Sequence, residues 1–72
     1  MPEVVFTQVE RNVWSVHCDG EFWGKMWQTL PSGVWGLIDE NHRRYFLGVF
    51  LVPSKAKEKA TLIVSNSYLE RN

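Results

Sequence analysis

The chain has 72 residues and no formal net charge, with eight basic and eight acidic side chains. This length fits one small domain with a modest core, and a hydrophobic content of 44% excludes an intrinsically disordered chain. The balanced charge argues against nucleic-acid binding through overall positive charge, so that function would need a local cluster of cations.

The residue types also suggest a cellular compartment. The chain has one cysteine, Cys18, which excludes an intrachain disulfide and favours a reducing environment. Its N-terminal residues lack a basic stretch followed by an apolar run, and no apolar segment approaches the roughly 18 residues needed to cross a bilayer. We therefore expect a soluble cytoplasmic protein without membrane contact.

The first two thirds of the chain are predicted to form β-strands. β-Branched and aromatic runs separated by turn residues indicate strands at about 3–9, 13–18, 21–28, 33–39 and 43–52. Asp19 and Gly20 are typical of a tight type I′ hairpin turn. In the second strand, alternation places Trp14, Val16 and Cys18 on one face. Gly24, inside the third strand, indicates a bulge or a close backbone approach.

The pattern changes after Pro53. Ser54 is a suitable N-cap, and strong helix formers follow it, so we predict a helix over about 54–66. The stripe facing the sheet is expected to contain small and apolar residues, with three lysines pointing away: Ala56, Ala60, Ile63, Val64 and Ser67 against Lys55, Lys57 and Lys59. The β-branched run at 61–65 leaves a strand as the alternative. The prediction is an α+β fold, an antiparallel β-meander of four to five strands with one C-terminal helix on one face, forming one domain over 1–72.

Catalytic and metal chemistry are not indicated. His17 and Cys18 are neighbours in a strand, so they point to opposite faces and cannot readily pair as base and nucleophile. Asp39 and Glu40 fall at a hairpin turn, where acidic residues are common for conformational reasons. The histidines and the cysteine lack zinc-site spacing. We therefore expect neither an enzyme nor a cofactor or metal.

Two groups of residues are candidates for binding. In a regular strand, Trp23, Lys25 and Trp27 would share a face, and aromatic rings beside a cation suit base stacking and phosphate contact. Arg43 and Arg44 begin the last predicted strand and add positive charge. The same aromatic residues also suit a core covered by the helix, or a surface that binds protein, and these alternatives stay open.

The segment RRYFLGVFLVPSKA, residues 43–56, resembles the last strand and helix start of the apetala and ethylene-response-factor type DNA-binding domain and of the arm-type DNA-binding domain of tyrosine integrases. The similarity lies in a basic, aromatic and Leu-Gly pattern followed by a helical alanine: Tyr45, Phe46, Leu47, Gly48, Phe50 and Ala56. The WGK motif at 23–25 is also similar to a plant version of the family.

The resemblance covers about 20 residues, and it implies a three-stranded sheet packed on a helix, with the open sheet face in the DNA groove. It implies that Trp23, Lys25, Arg43 and Arg44 would be the nearest equivalents of the DNA-contacting residues. In this chain the stretch between the WGK and FLG motifs is long enough for an additional strand, and two more strands precede it.

The sequence thus favours a small non-enzymatic binding module, namely a nucleic-acid-associated accessory or regulatory protein that uses the open sheet face. Its predicted contact residues are Trp23, Lys25, Trp27, Arg43 and Arg44. The alternative is a protein-interaction adaptor or inhibitor that works through an exposed aromatic sheet face or as a homodimer. The small size alone suggests a phage or mobile-element product.

Overall fold

The fold was taken from a computed structural model, which describes residues 2–71, except for the side chain of Arg71. Five strands precede one long helix. Their bounds are β1 Val4–Glu10, β2 Val13–Cys18, β3 Glu21–Thr29, β4 Val34–Asp39, β5 Arg44–Val49 and α1 Pro53–Arg71. The α+β meander with a C-terminal helix that packs on the sheet is therefore confirmed.

The sheet has the strand order β1-β2-β3-β4-β5, and every neighbouring pair is antiparallel. Short turns join the strands, as the turn residues predict. At the β2–β3 turn, Asp19 and Gly20 both have positive φ, 50° and 84°, which a type I′ turn requires.

The pairing is irregular at three places, in β1 between Gln8 and Glu10, in β3 and in β5, and the last two add side chains to the face under the helix. Val16 pairs with Gly24 whereas His17 pairs with Phe22, so Trp23 is an extra residue in β3. A similar shift between β4 and β5 makes Leu47 the extra residue there. Both extra side chains are buried, Trp23 at 1% exposure and Leu47 at 4%. The bulges therefore add two large apolar groups to the core, and each one shifts the phase of the alternation from one side of the bulge to the other.

Helix α1 covers one face of this sheet and builds the core with it. Small helix residues permit close approach, and the sheet contributes most of the volume. The buried hydrophobic residues are Trp14, Val16, Cys18, Trp23, Met26, Trp35, Leu37, Leu47, Ala56, Ala60 and Val64. The rings of Trp14 and Trp35 lie 5.1 Å apart, which gives the core an aromatic pair at its centre.

The helix starts next to the β5 end that carries Val49, and its last turns lie near Arg43, where Ser67 and Glu70 line a shallow pocket with it. It therefore runs antiparallel to β5, and Lys55 and Lys59 lie far from Arg43. Lys57 is not on the solvent side as predicted, because its ammonium lies 5.9 Å from the centre of the Phe6 ring on β1. This contact ties the first half of the helix to an edge strand.

The connection between β5 and α1 differs from the prediction. Strand β5 ends at Val49 rather than near residue 52. The Phe50 carbonyl oxygen accepts the indole N–H of Trp35 at 3.0 Å and the side-chain amide of Gln28 at 3.4 Å. The helix then begins at Pro53, a favoured first helical position, so Ser54 lies inside the first turn and not at the cap.

Residues 61–65 are helical, as in the predicted helix, and do not form the alternative strand; the helix is longer than predicted because it continues to Arg71. Packing decides this segment: Val64 is buried against the sheet and Thr61 donates its hydroxyl to the Lys57 carbonyl, an intrahelical contact. No helix within residues 2–71 is long and apolar enough to span a bilayer.

Candidate binding face of the sheet

The sheet face opposite α1, called the open face below, has no element packed on it within residues 2–71. The pairing register and the alternation of side chains along each strand identify the residues on this face, because they alternate with the buried ones. They form rows that cross the sheet at right angles to the strands. Two of these rows combine charge with aromatic rings and form the candidate site.

The first row is polar at its ends and carries two cations. Ser15 pairs with Lys25, Lys25 pairs with Ile38, and Ile38 pairs with Arg44. Lys25 and Arg44 are exposed and lie two strands apart, which corresponds to about 10 Å. Ile38 lies between them and is partly buried, so the two charges flank an apolar centre.

The second row, one step along the strands, is aromatic. Val13 pairs with Trp27, Trp27 with Gly36, and Gly36 with Phe46. A Cβ atom added to Gly36 would lie 2.5 Å from Cζ2 of Trp27, so the indole ring leans over Gly36 toward β5. Phe46, on the other side of Gly36, is 73% exposed. A groove of about 360 Å³ runs here, with Trp27, Val34, Gly36, Arg44 and Phe46 among its lining residues.

Acidic side chains are almost absent from this surface. Among the strand residues that the structure describes, the register places one acidic residue on the open face, Glu10, which pairs with Val13 at the far end of β1. It lies two strands from Trp27, about 10 Å away. The other strand carboxylates, Glu21 and Asp39, occupy register positions of the opposite face. The described strand residues of the open face therefore include two cations, one anion and several aromatic rings, although the chain as a whole is neutral.

The structure brings together three of the five residues predicted for this site, namely Lys25, Trp27 and Arg44. The expectation that Trp23 shares their face is wrong, because the bulge turns its ring under the helix, where it packs 5.9 Å from the ring of Tyr45. Its buried position leaves it unable to contact a ligand on the open face.

Arg43 also lies elsewhere. It precedes β5, faces the helix side, and lines a shallow polar pocket with Asp39, Ser67 and Glu70. Its backbone N–H donates to the Asp39 carboxylate at 2.9 Å, and the same oxygen accepts the backbone N–H of Asn41 at 2.9 Å. Asp39 is therefore the organiser of the β4–β5 turn, which explains why it is buried at 7% exposure.

Sequence reasoning missed two aromatic residues of the open face as site residues. Phe46 lies two positions after Arg44, so strand alternation alone would have placed both on one face. Phe22 pairs with His17 on the same face and is 46% exposed, with the two rings 5.7 Å apart. Its position could not be derived, because the bulge at Trp23 reverses the alternation within β3.

Cys18 and His17, the adjacent thiol and imidazole of β2, are not arranged to react together. Cys18 is buried, and His17 faces the opposite side of β2. Burial raises the pKa of the Cys18 thiol, and the carboxylates of Asp19 and Glu21 add to this rise, so the reactive thiolate is disfavoured. Across residues 2–71 there is no group of three or more side chains able to hold a metal ion.

Comparisons with protein-family models, with curated proteins and with solved structures gave no match to this chain.

Proposed function

We propose that this protein is a non-enzymatic nucleic-acid-binding module, an accessory or regulatory protein of the cytoplasm that uses the open face of its sheet. The observation that carries the proposal is the row in which Lys25 and Arg44 flank Ile38, next to the aromatic row of Trp27 and Phe46. Cations beside flat rings suit the two parts of a nucleic acid, its phosphates and its bases. Among the described strand residues of this face, the acidic one, Glu10, lies at its far end.

The resemblance to the sheet-reading DNA-binding domains supports the same face. In those families the open face of the sheet contacts DNA, and Lys25 and Arg44 are the positions of this chain that keep such a placement. The sheet here has five strands rather than three, so the mode of docking is part of the proposal.

Two cations on the face determine how strongly the interaction depends on salt. Neutralising two phosphates gives a slope of log affinity against log salt of about −1.4 for a single strand and about −1.8 for a duplex. Affinity should then fall about sevenfold for a single strand between about 50 and 200 mM salt. Such a weak electrostatic contribution suits an accessory protein that acts together with a larger partner.

The test is a fluorescence titration with short single-stranded and duplex DNA at both salt concentrations. Trp27 is the partly exposed tryptophan, whereas Trp14, Trp23 and Trp35 are buried, so quenching by a ligand on the open face reports on Trp27. We expect salt-sensitive quenching by the wild-type protein and its loss in K25A/R44A.

The matched control is K55A/K59A, which removes the same charge from exposed positions on the helix. We expect it to bind as the wild type does. Equal weakening by both double variants would show that overall charge, and not the open face, determines binding. Absence of binding by the wild type at low salt would refute the proposal.

A protein partner is the second candidate, and the apolar character of the open face favours it. Exposed apolar side chains lie on both sides of the Lys25–Arg44 row, Val5 (44%) and Phe22 (46%) on one side and Phe46 (73%) and Val49 (61%) on the other, and contiguous apolar patches mark protein-binding surfaces. A partner that covers this patch would bind with little dependence on salt. A second copy of the chain could do the same, and light scattering that reports a monomer at high concentration would exclude the homodimer.

A further inference from the structure

The groove between Trp27 and Phe46 has a shape that suggests a more specific ligand than the two cations alone. Gly36 forms its floor, and the absence of a side chain there leaves room for the Trp27 ring to lie across β4. Phe46 rises on the other side at 73% exposure. The result is an open groove, called the slot below, that is bordered by the Trp27 and Phe46 rings, with Arg44 among its lining residues and a volume of about 360 Å³.

Each part of this slot matches one part of a nucleotide. An aromatic wall stacks on the π-face of any base, and the Arg44 guanidinium at the slot can bind the phosphate attached to it. Lys25 lies across Ile38 from Arg44, in the row next to the slot, and can contact a neighbouring phosphate. A continuous anionic strand with protruding flat rings therefore complements both rows of the open face.

We infer that the slot binds one unpaired base of a single-stranded nucleic acid, and that the protein consequently prefers single strands to duplexes. This inference rests on the proposed function and goes further by naming the class of nucleic acid. The bases of a duplex are paired and stacked on each other, so none of them can enter the slot without a cost of a few kcal/mol for unstacking. A duplex would contact only Lys25 and Arg44.

The experiment compares four probes at low salt: an oligothymidylate of about 12 nucleotides, an oligouridylate of the same length, a duplex, and a strand of the same length without bases. We expect both single strands to bind at least about tenfold more tightly than the duplex and the abasic strand. The ratio between the two single strands distinguishes DNA from RNA, and preference for either one over the duplex supports the slot.

Variants assign the preference to the slot. F46A removes one wall and should weaken single-strand binding about 5- to 140-fold, the range for one stacked base, while the salt slope stays at the wild-type value. G36A should force the Trp27 ring out of its position and weaken binding in the same way. L62A is the control, because it truncates a 61% exposed apolar residue on helix α1, away from the open face, and should change nothing.

The outcomes separate this inference from the proposal beneath it. Equal affinity for single strand, duplex and abasic strand, with F46A binding as well as L62A, would overturn the slot. The proposed function would still stand in that case, provided that K25A/R44A abolishes binding. If the wild-type protein binds none of the four probes, both fail, and a protein ligand for the open face becomes the explanation of its apolar character.

Discussion

We expect G24A, which adds a single methyl group, to lower the free energy of unfolding more than the same substitution at Gly20 or Gly36. Gly24 lies directly after the extra residue Trp23, where β3 approaches β4 unusually closely. A Cβ atom at this position would collide with the backbone carbonyl oxygen of Ile38 and would lie 2.8 Å from the Cα atom of Asp39. Both obstacles are backbone atoms of the central sheet, so the collision cannot be relieved by rotating a side chain.

Two other glycines give a graded comparison. At Gly20 nothing lies within 4 Å of an added Cβ, and the cost comes from the positive φ of 84° alone, about 1–2 kcal/mol. At Gly36 the obstacle is the outer end of the Trp27 ring, which can swing toward solvent, so we expect about 1 kcal/mol. For Gly24 we expect at least about 3 kcal/mol, the upper end of the range for overpacking.

A loss of this size is large for so short a chain. Typical stabilities per residue give about 4–11 kcal/mol for 72 residues. With a urea m-value of about 1 kcal/mol/M, G24A should lower the unfolding midpoint by about 3 M and G20A by about 1–2 M. The assay is urea unfolding followed by tryptophan fluorescence and circular dichroism. A midpoint for G24A equal to or above that of G20A would refute the close approach of β3 and β4.

The remaining predictions concern the core and its titration. L37A removes a fully buried side chain from the centre of the sheet and should lower the free energy of unfolding by about 2–5 kcal/mol. L62A, at a helix position that is 61% exposed, should lower it by less than about 1 kcal/mol. Equal urea midpoints for the two variants would contradict the packing of α1 on the sheet. Burial raises the pKa of the Cys18 thiol in the folded protein, so the thiol of the unfolded chain loses its proton at a lower pH. The free energy of unfolding should therefore fall as pH rises above about 8.5. The decline should be smaller in C18A, measured by urea unfolding between neutral and alkaline pH, and identical slopes for the two proteins would show that Cys18 is not its source.

The strand order and most element bounds could be predicted because local signals determine them. The Asp19–Gly20 turn selects a two-residue hairpin, and the alternation around Trp14 and Val16 identifies the buried face of β2. Each strand pairs with its neighbour in sequence, so no long-range information was needed for the topology.

The site could be predicted only in part, because a bulge is a property of two strands at once. Gly24 indicated an irregularity, but the direction in which Trp23 would turn depends on the pairing of Val16 and His17 with β3. Without the bulge, Trp23 would share a face with Lys25; with it, the two lie on opposite faces. The ring of Trp27 likewise owes its position to Gly36 on the adjacent strand.

The end of β5 was set by contacts from elsewhere in the chain. The residues from Phe50 to Val52 have strand-like side chains, and sequence reasoning extended the strand through them. The Phe50 carbonyl instead receives hydrogen bonds from Trp35 and Gln28, which lie on other strands. Local propensity cannot predict that the Phe50 carbonyl accepts hydrogen bonds from residues 15 and 22 positions away in the sequence.

The meander order has a kinetic consequence. All four strand pairings join segments adjacent in sequence, so each hairpin closes only a short loop and can form early, in microseconds for a single hairpin. Docking of α1 onto β1 and β2 is the contact that spans most of the chain. We expect it to be the slow and decisive step, because a sheet without the helix exposes its tryptophans to solvent and to other chains. During synthesis the five strands leave the ribosome before the helix does, and in that interval the protein is most prone to aggregate.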